Sequence, residues 1–216
     1  MLVEIWSDVM CPFCYIGKRR FEAGLRQFAH QEQVEVVYRS FELDPGAPRE
    51  SEVDVHGMLA AKYGMSREEA IAMNEQVGSQ AAEEGLTYRF DTMVLTNTFD
   101  AHRLIRFAAS SGKSAEVAEL LFRAYFTESR HIGDYSVLAS IAEEAGLDRQ
   151  AAAAMLESGQ YGDEVRADEK QGEKLGIRGV PFYVVNRKYG ISGAQPSQVF
   201  LDVLEKAWSE KHSQAE

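Results

Sequence analysis

The sequence predicts an α/β protein in which a sheet-bearing domain, assembled from both ends of the chain, is interrupted by a large all-helical insertion. Three observations carry this. Strand patterns occur only near the two ends. Apolar stripes at spacings of three and four fill the stretch between them. The opening reads β-α-β, a unit whose parallel strands need their sheet covered on both faces, so the two ends are expected to share one sheet. The expected division is 1–45 with 163–216 for the sheet domain and 46–162 for the insertion, in a chain of 216 residues that can bury a sizeable core.

In chain order, Leu2 to Asp8 alternates Val3 and Ile5 against Glu4 and predicts a strand. A helix follows, striped by Phe21, Leu25 and Phe28. Val34 to Phe41 is rich in β-branched and aromatic residues and predicts a second strand, stopped by the Asp44-Pro45-Gly46-Ala47-Pro48 segment. Strand signals then fade until beyond Tyr161. Ser66 with Glu69 forms a capping box ahead of the stripe Ala70, Met73, Val77, Ala81. Further stripes run through Ala101, Leu104, Ile105 and Ala108, through Val117, Leu120, Leu121, Ala124 and Tyr125, and through Val137, Leu138, Ile141, Ala142 and Ala145. Gly146 and Gly159 are expected helix stops. Pro181 to Val185 and Lys188 to Ser192, joined across Asn186-Arg187, predict a hairpin, and Pro196 opens a final helix striped to Trp208.

A formal charge of -11 and a pI near 5.0 repel phosphate backbones and anionic lipid, so neither nucleic acid nor membrane is an expected partner. No apolar run approaches the ~20 residues of a membrane helix, and Met1 to Met10 lacks the pattern of a secretory signal, so a cytoplasmic location is expected. No Gly-rich phosphate loop is present, and no cofactor is expected.

The chemistry is expected at Cys11-Pro12-Phe13-Cys14, directly after a strand and at the start of a helix. Cys11 falls at the N-cap and Pro12 at the first helical position, where its missing N–H costs nothing. The free N–H groups and the helix dipole then favour thiolate at Cys11, the expected nucleophile. Cys14 lies on the same side of the first turn and is the expected resolving thiol. Zinc is the competing use of such a motif, but it needs two further ligands. There is no other cysteine, and His30, His56, His102, His131 and His212 are scattered without metal-ligand spacing. His102 could face a cleft as a proton carrier, although a packed helix residue is the commoner outcome. Met58, Met65, Met73 and Met93 suit either an adaptable surface or helix packing. Lys18, Arg19 and Arg20 suit either a solvated face or added positive potential behind Cys11.

The runs Ser7-Asp8-Val9-Met10-Cys11-Pro12-Phe13-Cys14-Tyr15-Ile16-Gly17, Gly179-Val180-Pro181-Phe182 and Ile191-Ser192-Gly193-Ala194-Gln195-Pro196 resemble the DsbA family, and within it the FrnE-like branch, over nearly the whole chain. The resemblance implies a thioredoxin-like domain with a helical insertion, and thiol–disulfide exchange with protein or small-molecule thiols and disulfides, glutathione among them. It implies a cis Val180-Pro181 bond against the cysteines, with Pro12, Phe13, Val180 and Pro181 on the substrate side. Phe13 stands where the best-known periplasmic members carry histidine. That implies a weaker oxidant, because the reduced form loses one stabilising interaction. Two rival readings remain: a kappa-type glutathione transferase or hydroxychromene-carboxylate isomerase, which resembles this architecture but carries serine in place of Cys11, and a holdase-type binding protein with incidental thiols.

Overall fold

The computed structural model describes residues 1–213, without the side chains of 211–213, so the side chain of His212 lies outside the described residues. In chain order the elements are β1 (Leu2–Ser7), α1 (Pro12–Gln27), β2 (Glu35–Ser40), α2 (Val55–Tyr63), α3 (Arg67–Glu83), α4 (Phe99–Ala109), α5 (Ser114–Phe126), α6 (Tyr135–Glu144), α7 (Arg149–Ser158), α8 (Gly162–Lys174), β3 (Phe182–Val185), β4 (Tyr189–Ser192) and α9 (Ser197–Ser213). They fall into two compact units. One joins Met1–Leu43 to the chain from Arg166 onward, and the other is Asp44–Val165. The fold is the expected mixed α/β one. α8 is an element the sequence does not predict, since its buried positions Val165, Asp168 and Gly172 include a single apolar side chain and form no stripe.

The first unit is a four-stranded sheet in the order β2-β1-β3-β4. β1 and β2 run parallel from Leu2 opposite Glu35 to Ser7 opposite Ser40, as a β-α-β opening requires. β3 lies antiparallel on the other side of β1, with Ile5 opposite Tyr183. The β3–β4 hairpin turns on Asn186 and Arg187, with φ of 50° and 55°. Two consecutive left-handed residues match the right-handed twist of the strands they join.

Each face of this sheet is covered. On one face Tyr183 packs 5.5 Å from Phe21 of α1 and 4.7 Å from Phe200 of α9, centroid to centroid, with Phe21 and Phe200 edge to face at 5.7 Å. Gly24 lets α1 and α9 approach closely, because a Cβ there would lie 2.6 Å from the Ser197 carbonyl oxygen. On the other face Trp6 packs with Ile177 and Val184, and its Nε1–H donates to the Asp168 carbonyl of α8 at 3.0 Å.

Glu4, on the polar side of the β1 alternation, is only 1% exposed. Arg39 on β2 neutralises it at 2.6 Å and reaches Asp168 at 3.1 Å, while Asp168 also accepts the Ser40 amide at 3.1 Å. Removing one member would strand a buried charge.

The second unit is helical. The capping box at Ser66 and Glu69 is present, and Gly146 and Gly159 adopt left-handed φ of 72° and 75° at helix ends. Arg103 of α4 is buried, donating to the carbonyls of Met155, Leu156 and Gln160 at 2.7, 3.1 and 2.7 Å and to Asp100 at 2.6 Å. His102 beside it is buried within α4. His56 bridges the Asn74 amide (3.1 Å) and Asp91 carboxylate (3.0 Å) on the wall of a cavity of about 410 Å³ that Tyr88, Arg89 and Phe90 also line. Met93 is buried, whereas Met58, Met65 and Met73 are half-buried.

Candidate active site

The strand β1 ends at Ser7, and the turn Asp8-Val9-Met10 delivers the chain to Cys11, whose amide donates to the Asp8 carbonyl at 3.1 Å. Cys11 is the N-cap of α1, with extended backbone angles of φ -86° and ψ 113°, and Pro12 is the first helical residue. No side chain caps this helix, and no acidic residue occupies its first turn. The orphan N–H groups and the positive end of the dipole are left to the Cys11 sulfur. Asp8 does not compete for them. Its carboxylate accepts the Met10 amide at 3.4 Å and the Leu43 amide at 2.7 Å.

Both cysteines are free thiols. Cys11 is 5% exposed and Cys14 2%. Exposure at the motif is concentrated in Phe13, which is 39% exposed. The Cys14 pKa is pushed well above the ordinary thiol value, first by burial and then by its hydrogen bond to Cys11 and the charge there. Hydrogen bonds from Ser7 and the Asp8 backbone work the other way. A thiol that keeps its proton while bonded to a neighbouring sulfur is suited to wait for a second step.

The Val180-Pro181 bond is cis and brings the Val180 carbonyl oxygen 3.5 Å from the Cys11 sulfur. Pro181 is buried, and its carbonyl accepts the Gly193 amide at 2.8 Å. Gly17, one turn beyond Cys14, admits this segment, since a Cβ there would lie 3.0 Å from Pro181 Cγ and 2.7 Å from the Tyr183 hydroxyl. Cys11, Cys14, Pro12, Phe13, Val180 and Pro181 thus all belong to the first unit and gather at the end of β1 and the start of β3.

Lys18, Arg19 and Arg20 of α1 do not form a free solvated face. Lys18 is buried and paired with Glu22 at 2.5 Å. Arg19 lies over the Tyr15 ring at 5.1 Å, and Arg20 donates to the Ala194 carbonyl at 2.8 Å. The sequence reading passed over Ser7 and Tyr183. Strand alternation places both on the Ile5 face, towards α1, but neither residue type announces a thiol site.

A cysteine pair on the first turn of the helix after the first strand, facing a cis-proline strand of the same sheet, defines the thioredoxin-like class to which thiol–disulfide oxidoreductases belong. The chain belongs to the DsbA-like thioredoxin domain family, whose model matches residues 2–205. It is 48% identical to a probable DsbA oxidoreductase from Streptomyces coelicolor, whose crystal structure superposes with a TM-score of 0.92 over 97% of this chain and 91% of that one. It is 29% identical over 211 residues to YwbO, an uncharacterized protein of Bacillus subtilis (strain 168), covering 97% of this chain and 96% of that protein. A 2-hydroxychromene-2-carboxylate isomerase shares the fold, with TM-score 0.72 and 17% identity over 100% of this chain and 98% of that one. Membership makes the protein one of the thiol–disulfide oxidoreductase family. The isomerase likeness concerns the fold alone.

Proposed function

We propose that the protein exchanges a Cys11–Cys14 dithiol or disulfide with protein or small-thiol substrates through a mixed disulfide on Cys11. The observation that carries the reading is the uncapped start of α1, where Cys11 occupies the N-cap with the Val180 carbonyl against its sulfur. In the reducing direction the Cys11 thiolate attacks one sulfur of a substrate disulfide, and the other sulfur leaves as a thiolate. Cys14 then loses its proton and attacks the Cys11 sulfur, which releases the second substrate thiolate and leaves the Cys11–Cys14 disulfide. Two electrons pass from protein to substrate, and oxidation of a dithiol runs the same path backwards.

The substrate side is formed by Phe13, exposed and apolar, and by Val180, half-buried before the cis-proline. An extended segment carrying a disulfide can lie along Val180 with its sulfur directed at Cys11. Glutathione disulfide fits the same approach as a small thiol partner. Cys14 separates this reading from an isomerase or transferase one, because resolving a mixed disulfide needs a second thiol in reach.

The test is trapping. Cys14→Ala should accumulate a mixed disulfide with insulin or with glutathione that dithiothreitol reverses, while Cys11→Ser forms none. Mixed disulfide on Cys14 in the Cys11→Ser protein at the wild-type rate would reverse the assignment.

A further inference from the structure

Tyr183 is a second residue type that this site buries at a cost. It lies on β3, two residues beyond Pro181 and opposite Ile5 of β1, on the sheet face that looks at α1. Its ring is clamped between Phe21 and Phe200. Its hydroxyl is buried without a hydrogen-bond partner among the described residues. A phenol oxygen sealed from water normally finds a partner, because leaving it unbonded sacrifices its hydration for nothing. A phenylalanine would fill the same space without that loss.

The hydroxyl also lies against α1, in the turn that follows Cys14. It lies where a side chain at Gly17 would go, 2.7 Å from the position of a Cβ there, and Gly17 is one helical turn from Cys14. The Tyr183 pKa is pushed well above the phenol value, first by burial and next by the charge of Cys14, with Cys11 contributing less. Tyr183 therefore keeps its proton over the pH range in which thiols ionise. A protonated phenol can donate or accept a hydrogen bond, and towards a thiolate, which has no proton, it donates.

We propose that the Tyr183 hydroxyl is a catalytic hydrogen-bond donor to the Cys14 sulfur whenever that sulfur carries charge. Cys14 is charged twice in the cycle: when it has lost its proton to attack the mixed disulfide, and when it leaves as a thiolate on opening of the Cys11–Cys14 disulfide. In both the phenol keeps its proton and offers it in a hydrogen bond, while the Cys14 proton passes to solvent or to the departing thiolate. An unbonded hydroxyl in the dithiol state is what such a role requires, since a donor already engaged would have to break one bond to make another. Ser7 already hydrogen-bonds the Cys14 sulfur.

The proposal rests on the exchange reading above, and one experiment separates the two. The reduced protein is mixed with 5,5′-dithiobis(2-nitrobenzoate), and release of the coloured thiolate is followed in a stopped-flow instrument. Attack by Cys11 releases the first equivalent, and resolution by Cys14 the second. Tyr183→Phe should leave the first phase unchanged, slow the second at least threefold, and move its pH profile to higher pH. Thermal stability should stay the same or rise, because the unbonded hydroxyl is gone. A wild type that releases no second equivalent overturns the exchange reading and this proposal with it. A biphasic wild type whose second phase keeps its rate and pH profile in Tyr183→Phe overturns the proposal alone.

Discussion

Asp54, Ser66, Asp134 and Asp148 of the helical unit each accept a hydrogen bond from the first turn of the helix they precede, whereas Cys11 precedes α1 and accepts none. The contrast extends to charge. Arg67 holds the Asp54 carboxyl far below its ordinary range, and Ser136 holds Asp134 down, so these caps stay ionised at helix N-termini. The first turn of α1 has no acidic residue at all. In the helical unit these four helix starts are closed by a side chain while α4 and α5 begin without one, and in the sheet unit the start of α1 is kept free for a sulfur.

The largest effect that can break this contrast is loss of the sulfur. Cys11→Ser should lower disulfide exchange by at least ~10³-fold, the scale on which losing a nucleophile acts. The same variant should raise the stability of the reduced protein by about 0.5–1 kcal/mol in a urea titration, because serine is a good N-cap. Unchanged or lower stability would mean that α1 does not lack a cap in energetic terms.

Gly17→Ala tests how tightly the free helix start is held against β3. The added methyl meets the Tyr183 hydroxyl and Pro181, neither of which can retreat easily. A loss of about 1–3 kcal/mol is expected, as for an overpacked core, together with slower exchange. A neutral effect on both would show that α1 and β3 can separate slightly at the site.

On the helical side, Asp148→Ala or Ser66→Ala should cost about 0.5–2 kcal/mol of stability and leave insulin reduction unchanged. A fall in exchange would mean that the two kinds of helix start are coupled.

The smallest expected effect is on pH dependence. The folded protein holds the Cys14 proton more tightly than the unfolded chain does, so its contribution to stability is full below the unfolded value, ~8.5, and is lost as pH rises through the folded value. The reduced protein should therefore lose stability above about pH 8.5, at no more than about 1.4 kcal/mol per pH unit for this one proton. Cys14→Ala should flatten the slope between pH 8 and 9.5, below the range where Tyr183, also raised, begins to contribute. Identical slopes would place the loss elsewhere.

The parts of the molecule that follow local rules were legible in the sequence. Cys11 and Pro12 read as N-cap and first helical residue because position after a strand and the chemistry of proline decide both. The Asn186-Arg187 turn, the capping box and the helical stripes are likewise local. What escaped is pairing across the fold. Glu4 reads as the solvent side of an alternating strand, yet α8 covers that face and Arg39 neutralises the charge. Lys18 reads either as solvated or as positive potential behind Cys11, but it is buried and paired with Glu22. Tyr183 reads as a strand aromatic, and only the close approach of Gly17 gives its hydroxyl a meaning. Each of these depends on a partner that periodicity does not mention.

The sheet order also sets a timetable. Val3 of the central strand pairs with Val36 on one side and with Val185 on the other. A ribosome that has released the first partner must still deliver the whole helical segment before the second appears, which takes about 7–30 s at ~5–20 residues per second. During that interval β1 has one bare edge, and the Val180 carbonyl that will face the Cys11 sulfur does not yet exist. The thiol pair is thus made early and completed late, so newly synthesised Cys11 passes a period in which any disulfide it meets is met without its proline strand.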